Sequence, residues 1–481
     1  MIVRISRFNP SIDEKPHIEV YNVEVPTEAR VLNVLDTVQT QIDSTLKYRK
    51  CCGAGQCGSC AVKVNGNPVL ACTKQAHEND LIEPLDLPII CDLITDISPI
   101  LSNMPHINPD LVCCNSKHDL TTDIVTEIQP LRDCIECCIC ISACPAIAAS
   151  EYSGPTIIRQ EQRLNLDPRD SSDRIAESVK LGLFKCTTCH KCVEVCPKKI
   201  EIPRKAVEKL RELAVKRGLS LPPHRLLANL IKETGRSVEK KGKSFLDIVP
   251  DIIEPDIPVR YTVGFFVGCM FNDRVIQPAL DAMDVLKRNG IRVIIPKEQV
   301  CCGSPLIRTG FTEIIPKLYQ RNIDAFVKSG VNIVITMCAG CGSTLKNDYK
   351  TPFRVADITE FLCEIGYDKP NKLNGVYTYH DPCHLLRGQK IHDQPRDVLK
   401  NIVNTFIDIP PHCCGAGGGV KSGNPDEALK IGNVRSEMIR NTGADYIITA
   451  CPFCEFHISQ VTGMPVKNIM TLLSESYKKQ V

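Results

Sequence analysis

The sequence predicts a multidomain protein with a small β-rich N-terminal domain, an α-helical middle domain and an α/β C-terminal domain. The length of 481 residues suits about three domains. The chain opens with short segments in which apolar and polar side chains alternate, as in strands. Two similar series of strands and helices occupy residues 261–363 and 376–473. Of the 28 cysteines, 22 fall into five regularly spaced arrays. We place the domains at residues 1–105, 106–255 and 256–481.

The composition excludes several classes of function. The hydrophobic fraction of 43% and the charged fraction of 24% are ordinary for a globular protein. A net charge of +2 gives no argument for binding nucleic acid or an anionic membrane surface. The start of the chain shows no secretory signal, and apolar runs such as 263–267 are too short to span a bilayer. We expect a protein that is cytoplasmic, or peripheral to a membrane through a partner. Its clustered cysteines are expected to be metal ligands or redox groups rather than disulfides.

The N-terminal domain combines strands, one helix and a cysteine loop. Residues 2–8 and 17–25 alternate apolar and polar side chains, which favours two antiparallel strands, and residues 29–43 have the pattern of an amphipathic helix. Asn65-Gly66 is a strong hairpin turn. Four cysteines have the spacing of a plant-type 2Fe–2S cluster: Cys52, Cys57, Cys60 and Cys72. Residues 1–105 are therefore predicted to form a β-grasp 2Fe–2S ferredoxin domain.

The glycines of this cysteine loop also fit a dinucleotide-binding pattern. Residues 53–58 read G-x-G-x-x-G. That motif needs a strand before it and a helix after it, whereas here a helix precedes and a strand follows. We therefore predict no nucleotide site in this loop.

The middle domain, residues 106–255, contains two runs of cysteines with the doubled bacterial ferredoxin spacing. In that pattern the fourth cysteine of each run binds the cluster of the other run. One predicted 4Fe–4S set is Cys134, Cys137, Cys140 and Cys196. The other is Cys186, Cys189, Cys192 and Cys144. A pair of zinc ribbons is the alternative, but zinc favours separated CxxC pairs. Helices are predicted over 172–183 and 203–217, and residues 235–260 are interpreted as a linker.

Residues 1–235 resemble the iron–sulfur subunit of succinate dehydrogenase and fumarate reductase. The resemblance rests on the two later runs and on the segment Cys52-Gly53-Ala54-Gly55-Gln56-Cys57-Gly58-Ser59-Cys60. It departs at Cys189, because most members of that family have a non-cysteine there and hold a 3Fe–4S cluster. A fourth thiolate allows a complete 4Fe–4S cluster and generally lowers its reduction potential. This difference weakens the expectation that the chain passes electrons to quinone.

The C-terminal domain is an internal repeat with an unusual cysteine pattern. We name its two arrays the first and the second five-cysteine set. The first is Cys269, Cys301, Cys302, Cys338 and Cys341. The second is Cys383, Cys413, Cys414, Cys451 and Cys454. The cysteines follow predicted strands, and open α/β sheets place ligands at the carboxyl ends of their strands. We therefore expect two α/β CCG repeats whose cysteines face one shared cleft.

This repeat resembles the catalytic subunit of heterodisulfide reductase. In that family each complete five-cysteine set holds a non-cubane 4Fe–4S cluster, and a mixed disulfide binds between the two clusters. All ten positions are present in this chain. Two plainer interpretations stay open: ordinary cubane clusters with one spare cysteine each, and one degenerate structural site.

The chain as a whole, which combines both halves, resembles the iron–sulfur subunits of thiol-driven fumarate reductases of methanogens. The resemblance implies oxidation of coenzyme M and coenzyme B thiols to their heterodisulfide, with electrons relayed to a FAD-containing partner that reduces fumarate to succinate. It implies one 2Fe–2S, two cubane and two non-cubane clusters. The alternatives are a non-catalytic electron conduit in a quinone-linked succinate or hydroxy-acid dehydrogenase, and a docking scaffold with redox-silent metal.

Anionic thiols require cationic and hydrogen-bonding groups near the two five-cysteine sets. The candidates close to these sets in sequence are Arg308, Lys346, His384, Arg387, His412, Lys421 and His457. We select Arg387, Lys421 and His384 as substrate-binding residues and prefer the first two. The glycine-rich run 415–419 either cradles an anion or permits close packing. The sequence assigns no role to Cys51, Cys91, Cys113, Cys114, Cys138 and Cys363.

Overall fold

The alternating segments at the start of the chain build a five-stranded sheet. Its strands are β1 (Ile2–Arg7), β2 (His17–Asn22), β3 (Ala61–Val64), β4 (Asn67–Leu70) and β5 (Leu81–Glu83). The order is β2-β1-β5-β3-β4, with β1 and β5 parallel and the other pairs antiparallel. The predicted helix begins at Val31, runs to Thr37 and continues as a π-helical turn, Val38–Ile42. Its buried Val31, Val34 and Leu35 share one apolar core with residues of the sheet. A small two-stranded sheet, β6 (Ile89–Cys91) and β7 (Ile94–Thr95), follows.

This computed structural model describes residues 1–98 and 120–478, which form two units. The first unit comprises Met1–Leu183 and His190–Leu210, and the second comprises Phe184–Cys189 and Arg211–Val481. The short segment with Cys186 and Cys189 therefore belongs to the unit that contains the C-terminal repeats. Cys113 and Cys114, to which the sequence assigns no role, lie outside the described residues.

Helices dominate the chain between residues 120 and 216. They are Thr122–Arg132, Ile139–Ser142, Pro155–Asn165, Arg174–Lys180, the 3₁₀ turn Leu183–Lys185, Lys191–Val195, the π-helical turn Pro203–Val207 and Glu208–Lys216. Proline stands at the start of Pro155–Asn165 and of Pro203–Val207, where its missing N–H removes no helical hydrogen bond. Asp173 caps Arg174–Lys180, because its carboxylate accepts from the backbone N–H of Ala176. The helices predicted over 172–183 and 203–217 are confirmed with shifted ends.

The second unit contains one sheet for each CCG repeat. The first sheet has β8 (Ile252–Ile253), β9 (Tyr261–Phe266), β10 (Ile291–Ile294), β11 (Ile333–Thr336) and β12 (Arg354–Asp357), in the order β12-β11-β9-β10-β8. The second has β13 (Leu373–His380), β14 (Val403–Ile407), β15 (Tyr446–Thr449) and β16 (Val466–Asn468), in the order β14-β13-β15-β16. All pairs are parallel except β8 with β10.

Helices join and cover these parallel strands, as parallel connections require. The helices of the second unit beyond residue 220 are Pro222–Thr234, Phe245–Ile248, Cys269–Asp273, Gln277–Arg288, Ser304–Thr309, Ile315–Lys328, Ala339–Asn347, Ile358–Ile365, Cys383–Leu386, Asp393–Ile402, Val420–Gly423, Pro425–Arg440, Pro452–Thr462 and Ile469–Lys478. One continuous apolar core includes Val263 and Phe265 of the first repeat and Tyr379 and Ile447 of the second. No helix in the described part of the chain is both long and apolar enough to cross a membrane.

The interpretation of residues 235–260 as a linker is wrong. This segment contains the helix Phe245–Ile248 and the strand β8, which pairs with β10 as an edge strand. Phe245 and Ile253 are buried in the core of the second unit. The charged, glycine and proline residues around them dominate the composition, but these few apolar side chains suffice to anchor the segment by burial.

Candidate metal centres and the shared cavity

The glycine-rich loop of the N-terminal domain gathers four cysteine sulfurs. The backbone N–H groups of Ala54 and Gln56 each donate to Sγ of Cys52 at 3.3 Å. The N–H of Gly55, which has a positive φ of 68°, donates to Sγ of Cys72 at 3.3 Å. Donation from Ser59 and from backbone groups lowers the pKa of Cys57 to about 6. The loop thus directs N–H groups at sulfur atoms, as thiolate ligands require, and the structure brings together Cys52, Cys57, Cys60 and Cys72.

The first cysteine run of the middle domain meets the last cysteine of the second run. Burial, together with the nearby sulfurs of Cys134 and Cys196, raises the pKa of Cys137 to about 12. The pKa of the half-buried Cys140 is raised well above its usual value by burial and then by the nearby sulfurs of Cys137, Cys134 and Cys196. The four thiols of this predicted set are therefore neighbours in the first unit. Unpaired buried thiolates are unfavourable, and a bound metal would offset their charge.

The other predicted 4Fe–4S set includes residues of both units. Cys144 and Cys192 belong to the first unit, whereas Cys186 and Cys189 belong to the second. This ligand set stays a prediction. Within the second unit, Cys189 contacts two members of the second five-cysteine set, Cys383 and Cys413. Nothing in the sequence indicated this contact, because Cys189 and Cys383 are far apart in the chain.

The first five-cysteine set converges at the carboxyl ends of β9 and β11 and at the loop after β10. All five side chains are buried. Donation from Cys301 and Cys341 lowers the pKa of Cys302 to about 6. The backbone N–H of Ser237 donates to Sγ of Cys269 at 3.4 Å. A side chain at Gly268 would come within 3.0 Å of Sγ of Cys341, so glycine leaves room beside the sulfurs. This donor set suits a thiolate-ligated metal centre.

The second five-cysteine set has the same arrangement in the second repeat. Sγ of Cys414 and Sγ of Cys454 lie 3.5 Å apart. The N–H of Gly415 donates to Sγ of Cys413 at 3.3 Å. The pKa of Cys414 lies well below its usual value, chiefly because Cys454 donates to its sulfur and because the imidazole of His380 lies beside it. Four of the five side chains are buried, and Cys383 is partly exposed.

One cavity of about 710 Å³ lies within the second unit and is lined by all ten cysteines of both sets. Its wall also contains Arg274, Arg308, Lys421 and His384, and no aspartate or glutamate of the described residues lines it. Burial and the neighbouring Arg308 lower the pKa of His384 to about 4, so this imidazole is neutral at physiological pH. We call this space the shared cavity. Its excess of cations favours an anionic ligand, and the partly exposed Phe453 and Phe456 add apolar surface to its wall.

Lys421 is the predicted cation with the best-defined surroundings. Its Nζ contacts Oε1 of Gln460 at 2.6 Å and Nδ1 of His457 at 2.7 Å, and it lies 5.2 Å from the ring centre of Phe456. His457 is fully buried, and its Nε2 contacts the carbonyl of Ala428 at 3.0 Å. Because that carbonyl can only accept, Nε2 carries the proton and Nδ1 accepts from Lys421. His457 therefore positions Lys421 rather than facing the cavity.

Three other predicted residues, Arg387, Lys346 and His412, do not line the shared cavity. Arg387 is absent from the cavity wall, and its Nη1 lies 3.4 Å from the carbonyl of Cys189. Lys346 forms an ion pair with Glu360, at 2.6 Å. His412 contacts the carbonyl of Cys413 at 2.9 Å. Sequence reasoning missed Arg274, an exposed residue at the end of the helix Cys269–Asp273 whose only signal was its position five residues after Cys269.

The glycine-rich run 415–419 permits close packing. A side chain at Gly418 would come within 2.4 Å of the carbonyl oxygen of Cys186, and one at Gly417 within 2.8 Å of that of Thr187. The carbonyl of Gly418 accepts from Arg211 at 2.9 Å. Of the two interpretations of this run, the structure favours close packing against residues 186–187 over an anion cradle.

Three families match successive parts of the chain. Residues 2–102 match the family described as 2Fe-2S iron-sulfur cluster binding domain, and residues 130–200 match the 4Fe-4S dicluster domain. Residues 263–346 and 377–459 each match the family described as cysteine-rich domain, CCG. The chain is 42% identical to a subunit of the fumarate reductase (CoM/CoB) of Methanothermobacter marburgensis, over 99% of both chains. This chain belongs to the family of that subunit.

Further similarity connects a large part of the chain to a second enzyme. One subunit of the dihydromethanophenazine:CoB–CoM heterodisulfide reductase of Methanosarcina barkeri is 31% identical over 73% of this chain and 95% of its own. A solved structure of a hypothetical protein from Helicobacter pylori shares the fold, with a TM-score of 0.68 at 13% identity, covering 100% of this chain and 95% of that one. This member of the fumarate reductase (CoM/CoB) family is thus an iron–sulfur oxidoreductase subunit.

Proposed function

We propose that this protein oxidises two different thiols, coenzyme M and coenzyme B, to their mixed disulfide and passes the electrons to a flavoprotein partner that reduces fumarate to succinate. The observation that carries the proposal is the shared cavity, because all ten cysteines of both five-cysteine sets line it. We take the two thiols and fumarate as substrates because the names of the two similar enzymes contain them. In this proposal the electrons reach the flavin of the partner through the 4Fe–4S and 2Fe–2S clusters.

The ligands that we assign follow the five arrays. A 2Fe–2S cluster takes the four cysteines of the N-terminal loop, and two cubane 4Fe–4S clusters take the crossed sets of the middle domain. Each five-cysteine set takes one non-cubane 4Fe–4S cluster. These clusters, when bound, supply one-electron acceptors and stabilise sulfur as thiolate. The buried donor sets with backbone N–H groups directed at sulfur support this assignment.

The chemistry balances over the two proteins. Two thiols lose two protons and two electrons while one S–S bond forms. Fumarate gains two electrons and two protons, and its carbon–carbon double bond becomes single. Because the two cysteine sets line one cavity, each thiol sulfur can lie beside a different set, and neither has to leave as a free radical. The cations Arg274, Arg308 and Lys421 would hold the anionic groups of the thiols in the same space.

The test is a product assay on the purified complex under anaerobic conditions. We expect equal amounts of mixed disulfide and succinate from fumarate and the two thiols. Cys302→Ser should abolish disulfide formation while a reduced viologen dye still drives fumarate reduction at the flavoprotein. The matched control is Cys363→Ser, since Cys363 belongs to no set and its thiol donates to the carbonyl of Gln394, at 3.6 Å. Activity with a quinone but not with thiols would contradict the proposal.

A further inference from the structure

A buried histidine at the end of β13 has one ring nitrogen directed at the second five-cysteine set. His380 is fully buried, and one of its ring nitrogens lies within 4.8 Å of Sγ of Cys414 and of Cys454. Its Nε2 has no nitrogen or oxygen hydrogen-bond partner among the described residues. A buried ring N–H without such a partner is unfavourable, so a sulfur acceptor would satisfy it.

Arg435 determines which nitrogen of His380 carries the proton. The Nε of Arg435 donates to Nδ1 of His380 at 3.1 Å. Arg435 is itself held by the carbonyl of Pro410, at 2.7 Å, and by that of Tyr379, at 3.4 Å. A guanidinium group has no acceptor, so Nδ1 must accept and Nε2 must carry the hydrogen. In this tautomer Nε2 has no lone pair for a metal, and it can only donate.

The first repeat has a different pair of residues at the equivalent positions. His380 lies three residues before Cys383, and Phe266 lies three residues before Cys269. Arg435 lies sixteen residues before Cys451, and Asn322 lies sixteen before Cys338. Phe266 packs against Phe326, with ring centres 6.2 Å apart, and Asn322 contacts the carbonyl of Cys301 at 3.3 Å. The second repeat therefore has both the donor, His380, and the residue that orients it, Arg435, whereas the first repeat has neither.

We propose that His380 donates its Nε2–H to Sγ of Cys414 and makes the centre of the second five-cysteine set easier to reduce than that of the first. Reduction adds negative charge, and a hydrogen bond to a ligand sulfur stabilises that charge. Buried Arg435 adds a cation behind the imidazole. The inference rests on the proposed iron–sulfur occupancy of both sets. It makes the second centre the first acceptor of an electron from the thiols.

The experiment is a redox titration of the complete complex, in which the magnetic-resonance signals of the clusters report the reduction of each centre. His380→Leu should make one-electron reduction of the second centre about tenfold less favourable, a shift of about 59 mV to lower potential. His380→Gln retains an amide N–H near the position of Nε2 and should restore most of the potential. Phe266→Leu is the matched control in the first repeat and should leave the second centre unchanged. An unshifted second centre in His380→Leu, with full iron content, would overturn the inference.

A second measurement on the unaltered complex keeps the inference testable if the His380 variants lose their cluster. Labelling histidine with ¹⁵N should give a weak coupling to the reduced second centre and an exchangeable proton at the same site. A strong coupling, typical of a directly bound nitrogen, would show that His380 is a ligand and would overturn it. Absence of iron and sulfide from the unaltered C-terminal sets would instead refute the proposed function itself.

Discussion

Lys421 combines a charge with a defined orientation at the shared cavity. Two of its three N–H groups contact Gln460 and His457, which leaves a third for a substrate anion. Burial lowers the pKa of Lys421, so the ammonium group is less well solvated than at an open surface. An anion from the substrate would compensate for this loss of solvation.

We expect Lys421→Met to raise the KM for the thiols about tenfold with a smaller change in kcat, because a charge-assisted hydrogen bond contributes roughly 1.5–3 kcal/mol. Steady-state kinetics with each thiol varied separately measures this effect and identifies the thiol that Lys421 contacts. Lys430→Met is the control, since Lys430 is an exposed lysine on the next helix, Pro425–Arg440. An equal KM in both variants would remove Lys421 from the substrate site.

Glu161 links the stability of the first unit to pH. It is fully buried in the helix Pro155–Asn165, and neither carboxylate oxygen has a hydrogen-bond partner among the described residues. Burial raises its pKa from 4.5 to about 7. The folded state therefore holds the proton more tightly than the unfolded state, and the free energy of unfolding falls as the pH rises from 4.5 to 7.

Glu161→Gln should remove this pH dependence. We expect the variant to be more stable than the unaltered protein by up to about 3 kcal/mol at pH 8 and by under about 1 kcal/mol at pH 5, at 1.36 kcal/mol for each unit of pKa. Thermal or urea unfolding at the two pH values measures the difference. A stability gain independent of pH would mean that Glu161 does not titrate as its burial implies.

At the scale of elements, the turn before the helix Val420–Gly423 depends on glycines that lie against another segment of the second unit. Gly418 has a φ of +65°, and a side chain there would meet the carbonyl of Cys186 at 2.4 Å. Gly443 has a φ of +66°, but no other atom lies within 4 Å of the place that a Cβ atom would occupy there. The two glycines therefore separate the effect of backbone conformation from the effect of packing.

Gly443→Ala should reduce the free energy of unfolding by about 1–2 kcal/mol, the ordinary penalty of a left-handed conformation. Gly418→Ala should reduce it by clearly more, because residues 186–187 would have to move. Denaturant unfolding of the two variants measures the contrast, and iron analysis shows whether cluster content falls in Gly418→Ala alone. Equal effects would show that the packing against residues 186–187 contributes little.

At the scale of the whole molecule, four groups of sulfur atoms, each within one unit, draw distant parts of the chain together. Cys196 meets a run that begins at Cys134, and each five-cysteine set joins three separate loops of its repeat. Buried thiolates repel one another without metal, so metal binding should contribute to folding.

Removal of iron with a chelator and a reductant should therefore lower the thermal midpoint of unfolding substantially in both units. Anaerobic addition of iron and sulfide should restore it, as followed by calorimetry and by the visible absorption of the clusters. A midpoint unaffected by complete removal of iron would show that side-chain packing alone holds the sulfurs in place.

The sequence alone determined the features that depend on local spacing. The cysteine arrays, the hairpin at Asn65-Gly66, the two helices of the middle domain and the repeat of strands and helices are encoded within short windows. Sequence reasoning failed at residues 235–260, where two buried side chains, Phe245 and Ile253, outweigh a composition typical of a linker. The choice of Arg387 for the substrate site, made because that residue follows Cys383 closely, stays a prediction.

Only the tertiary structure decided which side chains meet across long distances in the chain. It brings Arg435 to His380, Cys189 to Cys383, and Arg274 and Lys421 to the wall of one cavity. These contacts follow from the order of the parallel strands in the two sheets, because the loops at the carboxyl ends of neighbouring strands lie close together. No local pattern encodes them, because each depends on the burial of two segments that are separated by tens to hundreds of residues.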